Sequence, residues 1–130
     1  MEPSWIEEPT VIALHGDQLK EFGGLAGIRD RGLLLSAVAR PLNVWAYTTP
    51  KPDVIRLAAS YAYGIAKNHP FFDGNKRTSL IACLTFLKLN GWQLTANQSD
   101  RVRIILALAS GSIGEEELEV WLRTHVSPLA

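Results

Sequence analysis

The chain has 130 residues, of which 47% are hydrophobic and 20% charged, and its formal net charge is zero. These values exclude a disordered or collagen-like protein, and the length predicts a single domain over residues 1–130. A lone cysteine, Cys83, excludes an internal disulfide framework, while the absence of a signal-peptide pattern or a long apolar run predicts a soluble cytoplasmic protein that does not contact a membrane.

The zero net charge conceals an uneven distribution along the chain. Residues 22–103 hold eleven of the 13 basic residues but four of the 13 acidic residues, an excess of seven positive charges. Such an excess suits a polyphosphate or a nucleic acid, although charge scattered over solvated helix faces would give the same composition. The positions of individual charges therefore decide between the two interpretations.

The first third of the chain predicts two helices. Apolar residues recur at helical spacing over residues 9–22, and Gly23 follows them as a C-terminal cap. Asp30 suits the N-cap of a second helix over residues 30–40, which we expect Pro41 to end because proline removes a helical hydrogen bond.

The segment that follows Pro41 has a different composition, because residues that favour strands lie between prolines. The members of this segment are Val44, Trp45, Ala46, Tyr47 and Thr48. A proline-bounded strand can pair only at an edge. The sequence therefore predicts a short extended flap or β-hairpin here.

Four more helices are predicted in the remainder, over residues 53–68, 75–90, 99–110 and 114–126. The helix over 75–90 is apolar nearly all round, which is typical of a helix at the centre of a protein. The predicted fold is all-α: a compact bundle of about six helices around a buried central helix, with the short flap attached.

One short segment concentrates the polar chemistry of the chain. Residues 69–78 read HPFFDGNKRT and open the predicted central helix. Free backbone N–H groups at a helix start attract anions, whereas Lys76 and Arg77 in that first turn oppose the helix dipole. A bound polyanion removes this conflict, so the pattern indicates a phosphate site.

Each residue of this segment also has a structural interpretation, and only their joint occurrence favours function. Asp73 either caps the helix or binds Mg²⁺ beside phosphates, since that ion takes one or two carboxylates. His69 is either a structural residue before proline or, as a neutral imidazole, a general base toward a hydroxyl. Phe71 is expected to anchor the loop in the core, and His15 is interpreted as a satisfied core or groove histidine.

Residues 69–77 resemble the signature of the Fic-domain superfamily, HxFx[DE]GN[GK]R, and the lysine variant is similar to the death-on-curing (Doc) toxins. The stretches GGLAGIRDRGLLLSAVARP, residues 23–41, and FLKLNGW, residues 86–92, resemble other parts of Doc-like proteins. The resemblance covers most of residues 10–125.

This resemblance implies roles for the residues of the signature. His69 would be the catalytic base and Asp73 the acid that binds Mg²⁺. The groups that hold the phosphates of ATP would be Gly74, Asn75, Lys76 and Arg77, of which Lys76 and Arg77 also act in catalysis. The flap at Val44–Thr48 would dock the target segment as an added strand.

Two departures from the AMP-transferring members bear on the reaction. Lys76 stands where those members have glycine, and Leu80 stands where they have a second arginine. The Doc-like variant implies a protein kinase that phosphorylates a serine or threonine of the translation elongation factor that delivers aminoacyl-tRNA, arresting translation. Transfer of AMP to a protein hydroxyl is the alternative.

A partner is also implied by the resemblance, because the chain does not complete the inhibitory helix motif [ST]xxxE[GN] that some Fic proteins carry. We therefore expect a separate, Phd-like antitoxin whose amphipathic helix binds a hydrophobic groove. A helix-turn-helix DNA-binding module over residues 53–90 is a distant alternative, and direct nucleic-acid binding is not expected. An HNH-like nuclease would need a second histidine near the metal.

Overall fold

The helices of the computed structural model, which describes residues 1–129, agree closely with the predicted bundle. Its elements, in chain order, are α1 (Glu8–Phe22), α2 (Arg31–Tyr47), α3 (Val54–Asn68), α4 (Asn75–Leu89), β1 (Trp92–Leu94), α5 (Gln98–Ser110), α6 (Glu115–His125) and β2 (Val126–Pro128). The predicted all-α class is therefore confirmed within the described residues.

The core lies between α3 and α4, which form an antiparallel pair joined by a short loop. Ten of the fifteen residues of α3 are buried, so α3 is covered even more completely than the predicted central helix α4. Ser79 on α4 donates a hydrogen bond to the carbonyl of Ala62 on α3 (2.7 Å). On the opposite side of α3, a Cβ on Gly64 would lie 3.2 Å from the backbone of Ala37, so α2 approaches closely.

The predicted flap is wrong, because α2 continues through Pro41 and includes Val44, Trp45, Ala46 and Tyr47, with Thr48 as its C-cap. An interior proline costs a helix about 3 kcal/mol or more. Here Pro41 is fully buried, and the continued helix lets Val44 and Trp45 pack against the core. Burial of large apolar side chains contributes up to about 3 kcal/mol each, which outweighs their preference for strands.

The short antiparallel sheet lies elsewhere, between β1 and β2. Trp92 is opposite Pro128 and Leu94 is opposite Val126. This pair attaches the C-terminal segment to the end of α4, at the opposite end of that helix from the predicted site.

The segment before α1 is fixed to the core by Tyr61. Its hydroxyl donates to the carbonyl of Ile6 (2.9 Å) and accepts from the N–H of the same residue (3.1 Å). Burial raises the pKa of Tyr61 to about 12, so the phenol keeps its proton at neutral pH. None of the helices within residues 1–129 has the length and apolarity needed to cross a bilayer.

Candidate functional site

The loop between α3 and α4 reverses the chain at two left-handed residues. His69 is the C-cap of α3 with φ of 50°, and Gly74 precedes α4 with φ of 75°. His69 is the one non-glycine residue among positions 1–129 with positive φ, a conformation that costs a residue with a side chain about 1–2 kcal/mol. The strained residue is the one that the family resemblance implies as the catalytic base, and backbone strain is common at functional sites.

Asn75 holds this loop together from inside. Its side chain is 5% exposed, its Oδ1 accepts from the N–H of Phe71 (3.0 Å), and its Nδ2 donates to the carbonyl of Phe71 (2.9 Å). The second Nδ2 hydrogen is directed at Nδ1 of His69 (3.1 Å). The amide is thus fully used within the loop, and what remains of Asn75 for an anion is its backbone N–H.

The contact with Asn75 also sets the proton of the imidazole. The two bonds to Phe71 fix which end of the amide is nitrogen, so Nδ1 of His69 is the acceptor. In the neutral ring the proton is therefore on Nε2.

α1 fixes the same loop from the other side through His15. This ring stacks on Phe71, with centroids 3.7 Å apart and planes 6° apart, and its Nε2 donates to the carbonyl of Asp73 (2.8 Å). His15 is 4% exposed and Phe71 1%, whereas Phe72 is 55% exposed. The predictions of a satisfied histidine at 15 and of Phe71 as the loop anchor are confirmed.

A groove of about 620 Å³ opens where the loop enters α4, between α1, α4 and α5. Its polar end is formed by residues 73–77. Both Lys76 and Arg77 are exposed there, and neither forms a salt bridge with any other described residue. The Arg77 guanidinium lies over the ring of Phe22, 4.4 Å from its centroid. Lys76 and Arg77 therefore line the groove without a salt-bridge partner among residues 1–129, and Arg101 and the carboxylates of Glu21 and Asp73 line it as well.

Backbone donors lie beside these cations. The first helical hydrogen bond of α4 runs from Thr78 N–H to Gly74 carbonyl (3.0 Å), so the N–H groups of residues 75–77 precede the helical bonding pattern. A helix start with this arrangement and two cations is suited to binding phosphate. Towards its far end the groove becomes apolar, with Leu80, Leu84, Val102 and Leu106 among its lining residues.

Asp73 supplies a carboxylate at the loop end of the groove, which Glu21 of α1 also lines. Its Oδ2 accepts from the N–H of Leu25 (3.2 Å) and its Oδ1 from the N–H of Gly74 (2.9 Å). These two bonds lower the pKa of the Asp73 carboxyl, so it is ionised at neutral pH. No cluster of three metal-ligating side chains exists among residues 1–129. One exposed carboxylate at a phosphate site fits Mg²⁺, which takes its other ligands from phosphate and water.

His69 does not line this groove. It lies in a neighbouring hollow of about 390 Å³, whose other lining residues include Lys67 and the turn between α5 and α6. Asn75 connects the two, since it lines the groove and contacts the imidazole. The structure therefore brings residues 73–77 to one groove and places the imidazole outside it, in the hollow on the other side of Asn75.

Residues 24–30 run along the loop and pair with it at one bridge, between Ile28 and Phe71; the sequence analysis did not identify this segment as part of the site. The N–H of Arg29 donates to the carbonyl of Pro70 (2.7 Å), and the N–H of Phe72 donates to the carbonyl of Gly27 (3.2 Å). Residues 44–48, in contrast, line neither the groove nor the His69 hollow. The sequence feature that could have identified the segment 24–30 is the cluster of Gly23, Gly24 and Gly27, all of which have positive φ.

Gly24 provides a test of how closely this segment supports Asp73. A Cβ on Gly24 would lie 2.8 Å from Oδ2 of Asp73, and φ is 127°. We expect Gly24→Ala to displace the carboxylate and, if Asp73 binds Mg²⁺ as the resemblance implies, to lower the reaction rate by roughly tenfold or more. The measurement is the reaction rate as a function of Mg²⁺ concentration.

Gly23→Ala is the matched control for this substitution. Gly23 also has positive φ (77°), but a Cβ there meets nothing within 4 Å. Equal losses in the two variants would contradict the role given to the contact with Asp73.

The two alternatives from other classes gain no support. Ala82, Phe86 and Leu87 of α4 are fully buried, so this helix cannot enter a DNA groove as a recognition helix. An HNH-like nuclease would need a second histidine beside Asp73, the expected metal ligand. His15 contacts Asp73, but its ring is buried against Phe71 and its Nε2 already donates to the Asp73 carbonyl, so it does not serve as a metal ligand.

The sequence model of the Fic/DOC family matches residues 5–87. This chain belongs to that family. It is 45% identical over 76 residues to the protein named Toxin Doc of Mycolicibacterium smegmatis, an alignment that spans 58% of this chain and 58% of the relative. It is also 31% identical over 118 residues to Protein kinase doc of Escherichia phage P1, covering 91% of this chain and 92% of that protein. The resemblance seen in the sequence is confirmed.

Proposed function

We propose that this protein is a Doc-type toxin that transfers the γ-phosphate of ATP to a serine or threonine hydroxyl of a translation elongation factor and thereby arrests translation. The observation that carries the proposal is the pair of unpaired cations, Lys76 and Arg77, beside the free N–H groups of α4 and the ionised Asp73. Similarity to a phage P1 protein named a protein kinase supports phosphate as the transferred group.

The groove residues bind and orient the nucleotide. Arg77 and the N–H groups of residues 75–77 hold phosphate oxygens, and Lys76 stabilises charge on the phosphoryl group as it moves. Asp73 would hold Mg²⁺, which when bound neutralises phosphate charge. Phosphoryl transfer needs mainly positioning and positive charge, and these residues supply both.

His69 accepts the proton of the acceptor hydroxyl. The nitrogen that accepts it must be unprotonated, and in the neutral ring held by Asn75 that nitrogen is Nδ1. Either the hydroxyl replaces the Asn75 amide at Nδ1, or the ring first exchanges its proton through water so that Nε2 is free. In both cases the contact between His69 and Asn75 breaks when the acceptor binds.

The acceptor segment docks beside residues 24–30. This segment already forms one bridge with the loop, between Ile28 and Phe71. Its exposed backbone offers a target polypeptide a template for an added strand, next to His69. This assignment replaces the region 44–48, which forms the end of α2 and its C-cap.

The antitoxin is expected to bind the apolar part of the groove. Phe22, Val102 and Leu106 are exposed there, continuous with the cationic end. An amphipathic helix of a Phd-like partner would cover these side chains and block the phosphate site at the same time.

AMP transfer is the second candidate, because the fold and the signature are common to both reactions. The deciding experiment incubates the protein with the elongation factor, Mg²⁺ and ATP labelled at either the α or the γ phosphate. Label from γ supports the kinase, label from α replaces it with nucleotidyl transfer, and no label from either contradicts both.

Lys76 provides a second test of which phosphate is transferred. It lines the groove where AMP-transferring members have glycine, so we expect Lys76→Gly to lower γ-label transfer by roughly tenfold or more and to make α-label transfer detectable. Lys76→Ala also removes the charge but keeps a Cβ, so comparing it with Lys76→Gly separates the effect of the lost charge from the effect of the added space and backbone flexibility. An unchanged label pattern in Lys76→Gly would remove the steric role of the lysine.

A further inference from the structure

Arg29 binds the backbone at the point where α3 ends. Its Nε donates to the carbonyl of His69 (2.6 Å) and its NH2 group donates to the carbonyl of Asn68 (2.9 Å). Its own N–H donates to the carbonyl of Pro70 (2.7 Å). One residue therefore engages three consecutive carbonyls, two of them with a charged group at the negative end of a helix.

These contacts act on the strained residue of the site. A left-handed conformation at a residue with a side chain persists only where the surrounding structure determines it, and His69 has φ of 50°. Asn75 holds the ring of His69, whereas Arg29 holds its peptide carbonyl. Arg29 precedes His69 in the sequence and Asn75 follows it, so His69 is held by residues on both sides of it in the chain.

The guanidinium of Arg29 has no other partner among residues 1–129. It donates two hydrogen bonds, to the carbonyls of residues 68 and 69, and it forms no salt bridge with any described residue. Arg31, two residues further along and also exposed, instead pairs with Glu8 across the surface (3.1 Å). The difference between these two arginines indicates that Arg29 serves the loop.

We propose that Arg29 is a positioning residue that fixes the backbone of His69 for proton transfer and couples it to the segment that docks the acceptor. This inference rests on the proposed function. Arg29 belongs to the segment 24–30 and follows Ile28, which forms the bridge with Phe71, so an acceptor strand added to that segment would bear directly on the residue that holds the base. Docking and proton transfer are thereby connected through two hydrogen bonds.

The experiment compares Arg29→Ala, Arg29→Lys and the control Arg31→Ala. In Arg29→Ala we expect kcat to fall by roughly tenfold to a hundredfold, the range that a displacement of about 1 Å produces, with KM for ATP unchanged. Guanidinium ion at low millimolar concentration is expected to restore part of the activity, and Arg29→Lys is expected to lie between Arg29→Ala and the parent. Arg31→Ala is expected to keep the parent kcat.

Three results would overturn the inference. These are an unchanged kcat in Arg29→Ala, a loss confined to KM for ATP, and a loss of kcat that neither guanidinium nor the lysine variant relieves. Hydrogen exchange gives a readout that does not depend on the reaction. The amides of His69 and Phe71 should exchange faster in Arg29→Ala than in Arg31→Ala, even if the parent protein transfers no phosphate, a result that would contradict the proposed function alone.

Discussion

His69→Ala should reduce phosphate transfer to the target by roughly 10²-fold to 10⁴-fold, the contribution of a positioned general base. The side chain is exposed, and its hydrogen bond among the described residues is the one with the Asn75 amide. Its removal therefore leaves the core intact, although alanine adopts positive φ less readily than histidine. The measurement is the initial rate with γ-labelled ATP, together with the Tm of each protein.

His69→Asn is the control for the backbone. Asparagine adopts the left-handed conformation more readily than other residues with side chains, so this variant should fold at least as well as His69→Ala. Both should be inactive. Retained activity in either variant would show that His69 is not the base.

Asn75→Ala should lower the free energy of unfolding by about 2–4 kcal/mol, because it leaves the buried N–H and carbonyl of Phe71 without partners. The same change loosens the loop that carries His69 and leads into the first turn of α4, so transfer should fall together with stability. Urea denaturation measures the first effect and the labelled-ATP rate, taken well below the Tm, measures the second.

Asn97→Ala is the matched control for the loss of an asparagine. Asn97 is exposed and caps α5 by accepting from the N–H of Asp100 (2.8 Å), so its removal should cost about 1 kcal/mol and leave transfer unchanged. A cost at Asn75 no greater than the cost at Asn97 would contradict the role of Asn75 in holding the loop.

The helices could be predicted because their local signals agree with the packing. Asp30 caps α2 as expected, accepting from the N–H of Leu33, and Asp53 caps α3 at the predicted start of that helix, accepting from the N–H of Arg56. The prediction that Phe71 anchors the loop also succeeded, since a polar loop with two adjacent phenylalanines must bury at least one of them. These features depend on neighbours in the chain, which a single sequence displays.

The flap could not be predicted, because tertiary packing overrides the local signals there. Pro41 indicates a helix end, and residues 44–48 favour strands. Yet α2 continues because Trp45 packs against Trp5, with ring centroids 6.2 Å apart. That contact joins residues forty positions apart, and nothing in the local sequence of either one reveals it.

The residues at the start of α4 that share the groove were predicted, whereas the separate position of His69 and the internal contacts of the loop were not. Lys76, Arg77 and Asp73 line one groove as the resemblance implies. The sequence did not indicate that the Asn75 amide forms hydrogen bonds with Phe71 and His69, or that Arg29 binds the end of α3. Such hydrogen bonds depend on where a loop closes in space, which residue types alone do not determine.

The uneven exposure of the loop has a consequence for mutants that escape toxicity under the proposed function. Changes at the buried Asn75 or Phe71 would yield a chain prone to degradation, whereas changes at the exposed His69 would yield a stable, inert chain with its groove unaltered. An inert chain of this kind would still sequester the antidote, and would therefore leave any active copy in the same cell less restrained.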